Sequence, residues 1–147
     1  MTKNLKGFTT FELIVGASII ILITLVSLPL LTSYKKTTAL RNEARLLATN
    51  LRLTQQLAVS EQIIYSLDLK YEPDSYEIIN PSSGKIIKTV QLNQAVNFSQ
   101  ITGLSTSTVQ FTGAGAALET GTIELSNGLN QISTLEIKPS GYVQVTD

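Results

Sequence analysis

The chain has no cysteine, no histidine and no tryptophan. Without cysteine or histidine, thiolate and imidazole metal sites and histidine-based nucleophilic triads are excluded. The missing cysteine does not reveal a compartment, because exported domains fold with or without disulfides. An excess of one charge is also lacking: eleven Lys and Arg residues balance eleven Asp and Glu residues. That balance argues against a strongly basic surface that would track phosphates, and so against DNA as a partner. At 147 residues there is room for one domain and hardly for two.

What is present is unevenly spread. A short leader, Met1 to Gly7, carries Lys3 and Lys6 and no acid. It runs into an apolar stretch from Phe8 to Leu31, interrupted by a single acid, Glu12. At 1.5 Å per residue this stretch covers a hydrocarbon core of about 30 Å with some tilt. It exceeds the roughly 7–15 apolar residues of a secretory signal peptide. No small-x-small cleavage pattern follows it; Thr32-Ser33-Tyr34-Lys35-Lys36 stands there instead. A carboxylate inside a membrane-length segment costs about 2.5–3.5 kcal/mol on insertion scales, so Glu12 calls for a functional reason. Lys3 and Lys6 favour a cytoplasmic N-terminus, but Lys35 and Lys36 place equal charge on the other side, and charge alone does not orient the segment.

The run Lys6-Gly7-Phe8-Thr9-Thr10-Phe11-Glu12 resembles the prepilin peptidase site of type IV prepilins and of type II secretion pseudopilins. The resemblance implies cleavage after Gly7, N-methylation of the new terminal Phe8, and a subunit-docking role for Glu12. Gly7 has no side chain, which lets a protease approach the scissile bond. Glu12 would pair with the freed amine of Phe8 when subunits stack in the bilayer, each charge offsetting the other's desolvation. Gly16, Ala17 and Ser18 are small and permit close helix approach. Pro29 falls where many pilins carry a helix-kinking proline, and its missing N–H makes a kink physically reasonable. The resemblance also implies partners: other pilins in a filament, the prepilin peptidase, an inner-membrane assembly platform and membrane lipid. It implies a single-pass inner-membrane protein with the C-terminal domain outside the cytoplasm.

From Tyr34 to Ser60 there is no Pro or Gly, and Leu40, Ala44, Leu47, Leu51 and Ala58 recur at helical spacing. Leu46, Leu53 and Leu57 widen this stripe, while Arg41, Glu43, Arg45, Arg52, Gln55 and Gln56 mark a polar side. This predicts an amphipathic continuation of the membrane helix, whose apolar stripe needs a cover. The two together would run roughly 75–80 Å.

Beyond Ser60 the period changes to two. Ile63, Tyr65, Leu67 and Leu69 alternate with Ile64, Ser66, Asp68 and Lys70. Further strands are expected at Tyr76–Ile79, Lys85–Leu92, Val96–Ile101, Thr108–Thr112, Thr122–Leu125, Leu135–Lys138 and Tyr142–Val145, separated by turns such as Pro73-Asp74-Ser75 and Pro81-Ser82-Ser83-Gly84. The expected fold class is α+β: a long N-terminal helix packed on antiparallel sheet, as one sheet or two small ones, in unreadable order. The expected divisions are a leader at 1–7, a transmembrane segment at 8–31, an amphipathic helix at 32–60 and an exported β domain at 61–147.

The glycine-rich stretch from Phe111 to Leu125 is not a phosphate loop, since no Lys-Ser/Thr follows the glycines. From the residues alone it reads as a mobile loop between strands. Together with Pro139-Ser140-Gly141-Tyr142-Val143 it is similar to the C-terminal domain of H-type minor pseudopilins and FimT-like minor pilins. Those proteins often carry Arg near the closing Gly; here Tyr142 stands instead. Some FimT-like pilins bind DNA through a basic tail. This chain has no basic residue after Lys138, so that activity is not carried over. The leading expectation is a minor pilin or pseudopilin that is structural, not enzymatic, with no cofactor and no metal site. A major pilin subunit and a tip-located DNA-binding or adhesive pilin are the alternatives.

Overall fold

A computed structural model describes residues 7–146. The leader's Lys3 and Lys6 lie outside the described residues. One helix, α1 (Thr10–Glu61), is followed by eight strands: β1 (Tyr65–Lys70), β2 (Ser75–Asn80), β3 (Lys85–Gln91), β4 (Val96–Thr102), β5 (Thr108–Phe111), β6 (Gly121–Asn127), β7 (Ile132–Ile137) and β8 (Val143–Thr146). The chain divides into two compact units, 1–35 and 36–147.

From Thr10 onward the first unit is the apolar part of α1. An 18-residue window has mean hydropathy 2.6, long and apolar enough to cross a membrane, and none of it is buried. The helix carries Pro29 inside it and continues on both sides.

The second unit holds the remainder of α1 and two four-stranded antiparallel sheets, ordered β3-β2-β1-β5 and β4-β6-β7-β8. The two-sheet arrangement agrees with the sequence expectation. Its core is one cluster that takes residues from α1 and from both sheets. Leu40, Ala44, Leu47, Leu51 and Ala58 are all buried, as their spacing predicts. Leu46 does not widen the stripe; it is 41% exposed. Ala48, Asn50 and Thr54 are buried in its place. On β1, Tyr65, Leu67 and Leu69 face inward, opposite Phe111, Ile78 and Tyr76. A T-shaped contact between Tyr71 and Phe98, with ring centroids 5.9 Å apart, joins the β1–β2 turn to the second sheet.

A polar chain is set into this core. Asn50 Nδ2 donates to the Tyr76 hydroxyl at 2.7 Å, and Lys88 Nζ donates to Asn50 Oδ1 at 2.9 Å. Thus β3, exposed along most of its length, is tied to α1 by the Lys88 ammonium and packs on the core through Val90. Burial pushes the Tyr76 phenol up to about 12; the Asn50 hydrogen bond works against this and the Glu43 charge adds to it. Glu43, expected on the polar side, is partly buried, and burial raises its carboxyl pKa despite a hydrogen bond from Asn93 N.

Two outcomes follow from this packing. Leu51→Ala removes a fully buried side chain and is expected to cost about 2–5 kcal/mol, read as a lowered unfolding midpoint of the full chain in micelles. The Tyr76 phenol is neutral in the folded chain up to about pH 12, whereas its ordinary value is 10.0. Its stabilising contribution is therefore complete below the ordinary value and lost as pH rises toward the folded value. A titration of the midpoint should fall across that window, and Tyr76→Phe should flatten the fall.

Candidate assembly site

In the first unit, Gly7, Phe8 and Thr9 precede the helix. Phe8 is 88% exposed, and a Cβ placed on Gly7 would meet nothing within 4 Å. The Gly7–Phe8 bond thus lies in non-helical chain that an enzyme can reach. Glu12 lies in the first turn, with a local partner. Its Oε2 accepts from Thr9 N at 2.9 Å and from Thr9 Oγ1 at 2.8 Å, while Thr9 Oγ1 accepts from Glu12 N at 3.3 Å. This is a capping box, with Thr9 as N-cap and Glu12 as the third helical residue. The sequence reading missed it, although Thr9-Thr10-Phe11-Glu12 carries the Thr-x-x-Glu signature.

Five hydroxyls in and just after the apolar stretch bond within the helix. Ser18, Thr24 and Ser27 each donate to the carbonyl four residues earlier at 2.8 Å. Thr32 and Ser33 both donate to the carbonyl of Pro29. In lipid, where no water can serve these groups, internal bonding removes most of their desolvation penalty. The apolar side chains themselves, from Phe11 to Leu31, are exposed and call for lipid or other helices as cover.

In the second unit, the two halves of the C-terminal motif meet at the end of α1. Gln55 Nε2 donates to Gly115 O at 2.7 Å and to Ser140 O at 3.4 Å. Ala117 N donates to Pro139 O at 3.2 Å, and Ala117 bridges Phe111. Gln62, just past the helix, takes φ 56°, a left-handed cap, and its Nε2 reaches Val59 O and Gly113 O. The glycine-rich stretch does connect strands, as expected, but its Phe111–Ala117 part is fastened to the helix end. Gln55 therefore does not belong to the solvent side. Gly141 has φ +79°, and a Cβ there would sit 2.1 Å from Gly115 O. Only glycine fits where these segments cross.

No protein-family model and no curated protein sequence matches the chain. Its likeness to known proteins is in three dimensions. The structure is similar to the type IV minor pilin FimU of Pseudomonas aeruginosa, with TM-score 0.65 over 78% of this chain and 92% of that one, at 16% identity. The fold is pilin-like. It is similar also to the minor pseudopilin EpsH from the Type 2 Secretion System of Vibrio cholerae, with TM-score 0.60 over 73% of this chain and 95% of that one, at 8% identity. At such identities the likeness concerns the fold.

Gly141→Ala places a side chain against backbone in a left-handed conformation and is expected to destabilise by at least about 1–3 kcal/mol. Chemical denaturation of the full chain in micelles checks this. An unchanged midpoint would mean that the Gly115–Gly141 crossing is not tight in solution.

Proposed function

We propose that this chain is a minor pilin or minor pseudopilin, a structural subunit of a type IV pilus or a type II secretion pseudopilus. The observation that carries the reading is a coincidence in one chain. The minor-pilin fold follows an apolar helix headed by Gly7, Phe8 and Glu12 in the register of a prepilin peptidase site. Neither half alone would be as specific.

In this reading the precursor is held in the inner membrane by the apolar part of α1, with its N-terminus in the cytoplasm and the sheet unit outside. The peptidase cuts after Gly7 and Phe8 is N-methylated. The new amine lies beside Thr9, whose hydroxyl already holds Glu12. Glu12 then serves twice: it caps its own helix, and it receives the Phe8 amine of a neighbouring subunit. Even capped by Thr9, a carboxylate in lipid carries an uncompensated charge and favours any arrangement that brings a cation to it, so the pair selects one axial register. Pro29 removes a backbone donor, which leaves a soft point where the helix can bend as the subunit leaves the membrane for the filament. The inner-membrane platform and the other pilins are the partners. The role is structural, without a chemical step of its own.

The N-terminal mass of protein recovered from membranes, with and without the peptidase, tests the processing. A peptide beginning at methylated Phe8, lost when the peptidase is absent, is expected; an intact leader in both strains would overturn the assignment. Gly7→Val should block cleavage and leave insertion intact. Glu12→Ala should yield a cleaved, membrane-bound subunit that enters filaments several-fold less often, counted by shear fractionation. Normal incorporation would remove Glu12 as the docking contact.

A further inference from the structure

Three pieces of chain converge around Lys36. The β6–β7 turn is fastened to the start of the second unit: Asn127 Nδ2 donates to Lys36 O at 3.3 Å, and Thr37 Oγ1 donates to Gln131 Oε1 at 2.8 Å. Asn127 Oδ1 accepts from Leu129 N and Gln131 N, which fixes the shape of the turn. The β3–β4 loop is held from the helix side, where Glu43 Oε1 accepts from Asn93 N at 3.3 Å. Between the turn and the loop opens a groove of about 490 Å³, lined by Lys36, Asn93, Gln94, Ala95, Asn97 and Gly128. Its lining holds one ammonium and three carboxamides and no carboxylate. A Cβ on Gly128 would lie 3.6 Å from Lys36 Nζ, so the glycine leaves room beside the charge. Asn93 Oδ1 is committed to Ala95 N at 3.0 Å, which leaves the amide NH₂ as the end that can serve a ligand.

We propose that this groove binds the phosphate of a phospholipid headgroup and holds the β6–β7 turn, with Leu129 at its tip, against the membrane surface before the subunit enters a filament. The inference rests on the membrane-anchor reading above. The chemistry is that of an anion site: a compact ammonium opposite a phosphate, with amide donors for the remaining oxygens. The source of the phosphate follows from chain connectivity. Lys36 stands five residues after Leu31, the end of the apolar stretch. That tether spans at most about 17 Å even when extended. Headgroups are therefore held at high effective concentration beside the groove, which free phosphate in solution is not. Leu129, 40% exposed at the turn, gives the same rim an apolar tip for the interface.

The chain has no tryptophan, so Leu129→Trp introduces a single reporter in the full-length protein. It is placed in nanodiscs of phosphatidylglycerol and phosphatidylcholine that contain lipid spin-labelled at the headgroup or deep in the acyl chain. Quenching by the headgroup label is expected, reduced roughly fivefold when Lys36→Gln is added, as expected for loss of one basic contact at an anionic surface, and further by Lys36→Glu. Asn97→Asp should reduce it too. Unchanged thermal unfolding of each variant guards against misfolding. Millimolar inorganic phosphate should leave the quenching in place. Absent quenching, quenching indifferent to Lys36→Glu, preferential quenching by the acyl label, or loss to free phosphate would each overturn the proposal. Failure to enter nanodiscs at all would overturn the anchor and the groove with it; entry without quenching would overturn the groove alone.

Discussion

The inner stripe of α1, from Leu40 to Ala58, is the surface on which the second unit depends. Two four-stranded sheets both send buried apolar side chains into the one cluster that this stripe joins. Leu47 and Leu51 lie at the centre of the shared cluster with almost no exposure. Burying a side chain of this size contributes roughly 1.5–3 kcal/mol. Removing the helix would expose both sheets at once. The same helix carries the apolar segment at its other end, so one element serves both as core and as candidate anchor.

The polar contacts act by fixing the register of this packing. Asn50 sits in the buried stripe and bonds Tyr76 of the first sheet and Lys88 of its edge strand. Gln55, one turn beyond, bonds the glycine-rich stretch and the Ser140 turn. Arg52 reaches Val143 O at the start of β8. A purely apolar stripe would tolerate small slides of each sheet along the helix. The buried Asn50 does not, because a displaced donor in a buried place loses its partner without regaining water, and the more exposed Gln55 and Arg52 add directional contacts at the same face.

In the first unit the balance is reversed. Its apolar side chains are exposed, its hydroxyls bond internally, and its one carboxylate is drawn into a cap by Thr9. A segment built this way has little to gain from water and much from lipid or from like helices. The proposed cleavage point lies just outside the helix, where the chain is not protected by helical hydrogen bonds.

Much of this was legible in the residues. The helix from Thr10 to Glu61 follows from unbroken apolar spacing and the lack of glycine and proline after Pro29. Most strands followed from period-two alternation to within a residue or two, as Val143–Thr146 stands where Tyr142–Val145 was expected, but Ile132–Ile137 begins three residues before the expected Leu135–Lys138. Such local signals survive because they depend only on neighbours along the chain. What the sequence by itself determined, then, was the order and kind of the elements, the apolar stretch and the register of Gly7, Phe8 and Glu12. Strand order, the exposure of Leu46, the burial of Asn50 and the meeting of Gly115 with Gly141 were decided only by tertiary structure. Each depends on which distant segment arrives at a given face. No periodicity along the chain encodes that, because the partner lies tens of residues away and is selected by packing the whole core at once.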